Sequence, residues 1–153
     1  MPLSALLSGY LAGVSGLAAF LSLPDEVLVR RPTQDAWSAG EVIHHLADAE
    51  VVRTHLYRRV LVEDEPRIAQ WDRERYCVVL NYSSRPLLHA VGSFTSLRHG
   101  NVDLFASLTP QQWLRTALHP ELGPLTLREL VLDATTGLEE RLAQARRAVN
   151  GSP

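Results

Sequence analysis

Three observations predict that this chain is an all-α protein, a four-helix bundle. Four segments place apolar residues three and four positions apart, which is the spacing of a helix with one buried face. Two of these segments begin at a Ser or Thr that is followed three positions later by Glu, the pattern of a capping box. No segment has the alternation of apolar and polar residues that is typical of a strand. With 153 residues, 46% of them apolar, we expect one domain over residues 1–150 and a short tail over 151–153.

The first helix is predicted within the uncharged segment from Pro2 to Pro24. Its apolar residues recur at helical spacing, small polar residues interrupt them, and no basic segment precedes them. These features favour a bundle helix over a signal peptide or a membrane span. We therefore expect no membrane association and a cytoplasmic location, with which the single cysteine, Cys77, is consistent.

The second helix is predicted over residues 39–62, because Ser38 and Glu41 form a capping box before it. The acidic run that leads to Pro66 ends it, and a connection with at most one short helix follows over residues 66–82. Pro86 then opens a third helix that reaches about Ser107.

A short turn of helix is predicted after Thr109, where Pro110 suits the first helical position. The segment from His119 to Pro124 is interpreted as a rigid connecting turn. Thr126 with Glu129 forms a second capping box, and the last helix continues to about residue 149.

Charge and composition exclude several classes of function. The net charge is −2 and the basic residues are scattered, so we expect no nucleic-acid partner. All 15 basic residues are arginines, which excludes Schiff-base chemistry, a catalytic lysine and a Walker-type phosphate loop. Cys77 lies in an apolar run and is interpreted as a buried thiol.

Several segments, taken in order, resemble the DinB/YfiT-like superfamily of four-helix bundles. The matching segments are Trp37-Ser38, His45-Leu46-Ala47-Asp48, Tyr82 to Pro86, and His119-Pro120-Glu121 through Thr126-Leu127. The resemblance implies an up-down-down-up topology, a homodimer, and links to metal-dependent hydrolysis or thiol-conjugate transfer in different branches. Many members hold a divalent metal on one histidine of the second helix and an HxxxH pair of the last.

His45 matches the first of these ligands, whereas Gly137 and Arg141 stand at the two positions of the pair. Glycine offers no ligand, and an arginine cation repels a divalent metal. We therefore expect no metal cofactor, with weak binding of zinc or nickel as the alternative. The Arg141 guanidinium is expected to fill the metal's space beside an acidic partner such as Glu50 or Asp48, unless it extends into water.

A helical wheel places His45 at the edge of the buried sector of the second helix, and Gly137 with Arg141 at an edge of the last. His44, Asp48 and His55 are expected to face solvent. Without the resemblance, the favoured interpretation of His45 is a hydrogen-bonded boundary histidine.

Glu50 and Arg53 fall inside the buried sector of the second helix, where charged side chains are seldom unpaired. Either they pair with each other or across helices, or this face is a wet cleft or a subunit contact. Trp71 is a further candidate for the cleft, with a core or interface aromatic as its alternative. The expected ligand pocket thus contains His45, Glu50, Trp71, Gly137 and Arg141.

Three functions remain open from the sequence. The one we expect is a metal-free module that binds a small molecule or acts in a stress response. The second is a metal-dependent hydrolase or thiol-conjugate transferase with an altered site around His45 and carboxylates such as Asp48 or Asp133. The third is a purely structural dimeric bundle. No catalytic residue is predicted.

Overall fold

Four long helices form the body of the protein in the computed structural model, which describes all 153 residues. They are α1 (Leu3–Ala18), α3 (Ala39–Val62), α5 (Leu88–Ala106) and α7 (Leu127–Val149). Short helices α2 (Asp25–Leu28), α4 (Arg73–Val79) and α6 (Pro110–Trp113) lie between them. A two-stranded antiparallel hairpin, β1 (Thr116–His119) and β2 (Gly123–Thr126), precedes α7.

The helix starts follow the local chemistry of the sequence. At α3 the Ser38 hydroxyl accepts from the Glu41 amide at 3.2 Å, and the Glu41 carboxylate accepts from the Ser38 amide at 3.1 Å. The same reciprocal pair forms between Thr126 and Glu129 before α7. Each pair satisfies amide groups that have no partner inside the helix. The predicted bounds of α3 are therefore confirmed.

The order of packing defines the bundle topology. α3 packs against α5 and α7, and α1 packs against the same two helices, so α1 and α3 occupy opposite corners. Successive contacts Gly9–Thr135 and Gly13–Leu138 run in the same direction along α1 and α7. Glu50–Arg98 and Thr54–Asn101 do the same along α3 and α5. Two adjacent pairs are thus parallel, as an up-down-down-up bundle requires.

The first helix is packed into this bundle by its apolar stripe. Leu6, Tyr10 and Leu17 are fully buried against the other helices. The segment Leu3–Ser22 is also long and apolar enough to cross a membrane by length and composition alone. At Gly13 a Cβ atom would collide with the Leu138 side chain, so glycine permits the close approach of α1 to α7.

The hairpin corrects the expectation of a chain without strands. Each strand has four residues, with Thr116 opposite Thr126 and His119 opposite Gly123. The segment predicted as a rigid turn, from His119 to Pro124, forms the end of β1, the tip of the hairpin and the start of β2. Strands this short contain too few residues for a period of two to be recognised, and Pro124 further weakens the pattern. Gly123 adopts a φ of 76°, which glycine tolerates without strain.

Candidate functional site

A cleft opens between α3, α7 and the connection that leads into α4. It encloses a cavity of about 290 Å³. Four of the five residues predicted for the ligand pocket lie together here: His45, Trp71, Gly137 and Arg141. The other lining residues are Leu46, Ala49, Val52, Arg53, Arg73, Asp133 and Glu140.

His45 is held in the cleft wall by two tryptophans. Its ring stacks on Trp71 with centroids 5.3 Å apart and meets Trp37 edge-on at 5.4 Å. The side chain is buried, and Nδ1 has no hydrogen-bond partner. Burial, together with the positive charges of Arg73 and Arg53, lowers the pKa of His45 to about 4. At neutral pH this imidazole is therefore uncharged.

Three arginines line the cleft with His45. Arg53 and Arg141 are half-buried, and Arg73 is exposed. The ion pairs of the protein are Arg31–Glu41, Arg59–Glu63 and Arg98–Glu50, so none of the cleft arginines belongs to one. Arg141 donates to the Gln144 side chain at 2.9 Å, one turn along its own helix. Three guanidinium groups thus keep most of their donors for other partners.

The expected acidic partner of Arg141 is not Glu50. The Glu50 carboxylate is fully buried, lies outside the cleft lining, and accepts from Arg98 Nε at 3.0 Å and from the Tyr10 hydroxyl. Its place in the expected pocket was therefore wrong. The alternative of a pair across helices is confirmed, with Arg98 of α5 as the partner, whereas Arg53 remains free for the cleft.

The expectation that His44 and Asp48 face solvent is also wrong. His44 is 2% exposed, and its Nε2 lies 2.8 Å from the Arg85 carbonyl oxygen. Asp48 is half-buried and accepts from the Tyr82 hydroxyl at 2.5 Å, so it is not available to Arg141 either. The reason is that the segment with Tyr82 and Leu87 covers the first turns of α3 on the side that a wheel assigns to solvent. His55, farther along the helix, is exposed as expected.

The residues of the cleft do not fit a divalent metal. A stable site in the bundle core needs three or more convergent ligands, and no group of three His, Cys, Asp or Glu side chains in the structure is arranged to hold an ion. Asp133 and Glu140 reach the cleft but share it with three arginines. Gly137 supplies no side chain, although a Cβ atom there would have no neighbour within 4 Å. The charged side chains that line the cleft therefore favour binding of an anion over binding of a cation.

Cys77 provides no reactive thiol near this site. It is buried, and its Sγ donates to a Glu41 carboxylate oxygen at 3.0 Å. Burial, together with this hydrogen bond, raises the pKa of the thiol to about 12. The nucleophilic thiolate is therefore suppressed.

Two of the cleft arginines were missed by sequence reasoning as ligand-binding residues. Arg53 was assigned to the buried sector of α3, with a wet cleft only as an alternative, and Arg73 was not considered. A signal for Arg53 exists, because His45, Ala49 and Arg53 follow each other at intervals of four and share one helix face. Arg73 is the first residue of α4, which is too short for a helical period to place it.

This chain is similar in sequence to proteins of one known family. A family model described as the DinB superfamily matches residues 16–145. Two proteins of Oceanobacillus iheyensis, each named "putative metal-dependent hydrolase", are 25% identical over 70% of this chain and 21% identical over 86% of it. The matched regions cover 62% and 75% of the lengths of those two relatives, so the chain spans less than two thirds of the first.

A solved structure shows the same fold. It is that of YfiT from Bacillus subtilis, described as "a probable metal-dependent hydrolase with an unusual four-helix bundle topology". The TM-score is 0.88 at 19% identity, and the match covers 96% of this chain and 85% of that one. The four-helix architecture predicted from the sequence is confirmed.

Proposed function

Because this chain belongs to the DinB superfamily and presents three arginines without ion-pair partners in its cleft, we propose that it is a metal-free module for a small anionic ligand. The ligand's anionic group is a carboxylate or a phosphate. The three arginines are the observation on which the proposal rests, since a guanidinium group binds a carboxylate or a phosphate through paired charge-assisted hydrogen bonds.

The electrostatics of the cleft support an anion. Arg53, Arg73 and Arg141 outnumber the two carboxylates, Asp133 and Glu140, that reach the same cavity. His45 is uncharged at neutral pH because its pKa is lowered to about 4 by burial and by Arg73 and Arg53. A neutral imidazole offers one hydrogen bond to the ligand and adds no charge of its own.

Ligand binding can be measured by calorimetric titration with benzoate and phenyl phosphate, with the neutral analogue benzamide beside them. We expect the two anions to bind and benzamide not to bind. Arg141→Gln should raise the dissociation constant of the anions about tenfold or more, because a hydrogen bond to a charged group is lost.

The matched control is Arg146→Gln, which makes the same charge change on an exposed residue of the same helix outside the cleft. It should leave the dissociation constants within about twofold, since exposed charges are screened by salt. Equal losses in both variants, or no binding of either anion, would contradict the proposal.

Metal-dependent hydrolysis is the second candidate function. The names of the relatives suggest it, and one observation favours it: His45 Nδ1 is buried without a hydrogen-bond partner. Measurement of bound zinc and nickel after incubation and gel filtration separates the two candidates. Stoichiometric, tightly bound metal that disappears in His45→Gln would overturn the metal-free proposal.

A further inference from the structure

A second cavity adjoins the arginine-lined cleft and has a different character. Its volume is about 550 Å³. Five residues line both cavities, so the two form one continuous cleft; they are Val52, Arg53, Trp71, Arg73 and Asp133. We call this second part the apolar chamber. Its volume lies within the range of roughly 300–1,000 Å³ that is usual for pockets that bind small molecules.

The chamber is walled mainly by hydrocarbon. Its apolar lining residues beyond the shared ones are Leu56, Ile68, Ala69, Leu122, Leu125 and Leu130. Leu122 is 69% exposed, although it is a large apolar side chain. Contact between such exposed apolar surface and an apolar group of a ligand is favourable, because it removes both surfaces from water.

The hairpin and the segment before α4 give the chamber a fixed wall. The Ile68 amide donates to the Leu118 carbonyl at 3.0 Å, and the Leu118 amide donates to the Pro66 carbonyl at 2.9 Å. The segment before α4 therefore pairs with β1 through a parallel bridge between Arg67 and Leu118. Because main-chain hydrogen bonds hold this wall, the chamber is a preformed feature of the fold.

One residue of the chamber wall carries a buried polar atom without a partner. Tyr57 lines the chamber and is fully buried, and its hydroxyl has no hydrogen-bond partner in the protein. Buried hydroxyl groups are nearly always paired, since an unpaired one costs free energy. The wall of the chamber therefore contains a polar group that the protein itself leaves unpaired.

We propose that the ligand of this cleft is an amphipathic anion, with its carboxylate or phosphate at the arginines and its hydrocarbon part in the apolar chamber. The inference rests on the proposed function and adds the class of ligand to it. Arg53 and Arg73 lie at the junction, because they line both parts. The order along the cleft is thus charge at the His45 end and hydrocarbon at the hairpin end.

A series of unbranched carboxylates tests the inference. Butanoate, hexanoate and octanoate are titrated by calorimetry at concentrations below aggregation, with octanol as the uncharged counterpart. Each added methylene should lower the dissociation constant about fourfold as long as the chamber takes it up. Octanol should bind at least about tenfold more weakly than octanoate, because it lacks the charge.

The substitution Ala69→Trp locates the hydrocarbon part. Ala69 is exposed and lines the chamber, so a large ring there obstructs the chamber without entering the core. We expect the variant to abolish the gain in affinity from butanoate to octanoate. The matched control is Ala106→Trp at the exposed end of α5, which should keep the full chain-length dependence.

The outcomes separate this inference from the proposed function. If carboxylates bind through Arg141 with an affinity that does not depend on chain length, the inference of an amphipathic ligand is wrong, whereas the proposed anion site is supported. A chain-length dependence that survives Ala69→Trp would equally overturn it, since the hydrocarbon would then lie elsewhere. Octanol that binds as tightly as octanoate, or a series in which nothing binds, contradicts both.

Discussion

The buried charges of the core and the charges of the cleft differ in how completely the protein pairs them. In the core, Arg98 donates to the Glu50 carboxylate at 3.0 Å, to the Tyr10 carbonyl at 2.7 Å and to the Ala134 carbonyl at 3.2 Å. Asn101 donates to the Tyr10 hydroxyl and to Thr54. Tyr10, Glu50, Arg98 and Ala134 belong to α1, α3, α5 and α7, so this network joins all four long helices.

The cleft contains the same residue types without such pairing. Arg53, Arg73 and Arg141 form no ion pair with a carboxylate. His45 Nδ1 has no hydrogen-bond partner. In the core the protein itself compensates the cost of burying charge, which makes that network structural. In the cleft the hydrogen bonds are left for a partner from outside. The comparison therefore separates charges that hold the fold from charges that serve binding.

The largest effect is expected when the core network loses its carboxylate. Glu50→Ala should lower the free energy of unfolding by about 3–5 kcal/mol, because Arg98 is then buried as an uncompensated cation. Urea denaturation followed by circular dichroism measures this loss. If this variant does not fold, Glu50→Gln retains the shape of the side chain and permits the same measurement.

The cleft offers the matched control for this change. Glu140→Ala removes an exposed carboxylate and should change the free energy of unfolding by less than about 0.5 kcal/mol. Similar losses in Glu50→Ala and Glu140→Ala would remove the distinction between the two groups of charges.

The next effect concerns the protonation of His45. Burial first, and then Arg73 and Arg53, lower its pKa in the folded protein from 6.5 to about 4. As the pH falls from 6.5 to 4, the unfolded chain binds a proton that the folded chain does not, so this residue makes the fold less stable in that window. The contribution is up to about 3 kcal/mol at the acidic end.

Denaturation of wild type and His45→Gln between pH 7 and pH 4 isolates this contribution. The wild type should lose more stability than the variant over that range. His55→Gln, which changes an exposed histidine of the same helix, should follow the wild-type curve. Parallel curves for wild type and His45→Gln would show that the cleft does not disfavour a positive charge on the imidazole.

The fold was predictable because the signals that fix helix ends are local. Ser38 with Glu41 and Thr126 with Glu129 each lie within four residues, and both predicted capping boxes form. The positions of His45, Gly137 and Arg141 in one cleft also followed from helix faces together with the family resemblance.

Interactions between distant segments were not predictable in the same way. Arg98 pairs with Glu50 from 48 residues away, and no local period indicates which charge on another helix will meet a buried carboxylate. His44 was misplaced because a wheel describes an isolated helix, whereas Tyr82 from the following connection stacks on this residue. The apolar chamber depends on the hairpin, whose short strands have no readable pattern.

The smallest effect distinguishes two fully buried tyrosines, Tyr10 of the core network and Tyr57 of the chamber wall. Tyr10→Phe removes hydrogen bonds to Glu50 and Asn101 and should lower the free energy of unfolding by about 1.5–3 kcal/mol. Tyr57→Phe removes a hydroxyl without a partner, so the change should lie between zero and a gain of about 1 kcal/mol. Urea denaturation of both variants measures the difference. A loss in Tyr57→Phe equal to that in Tyr10→Phe would mean that the chamber wall is as fully paired as the core, and the chamber would then lose its unpaired donor.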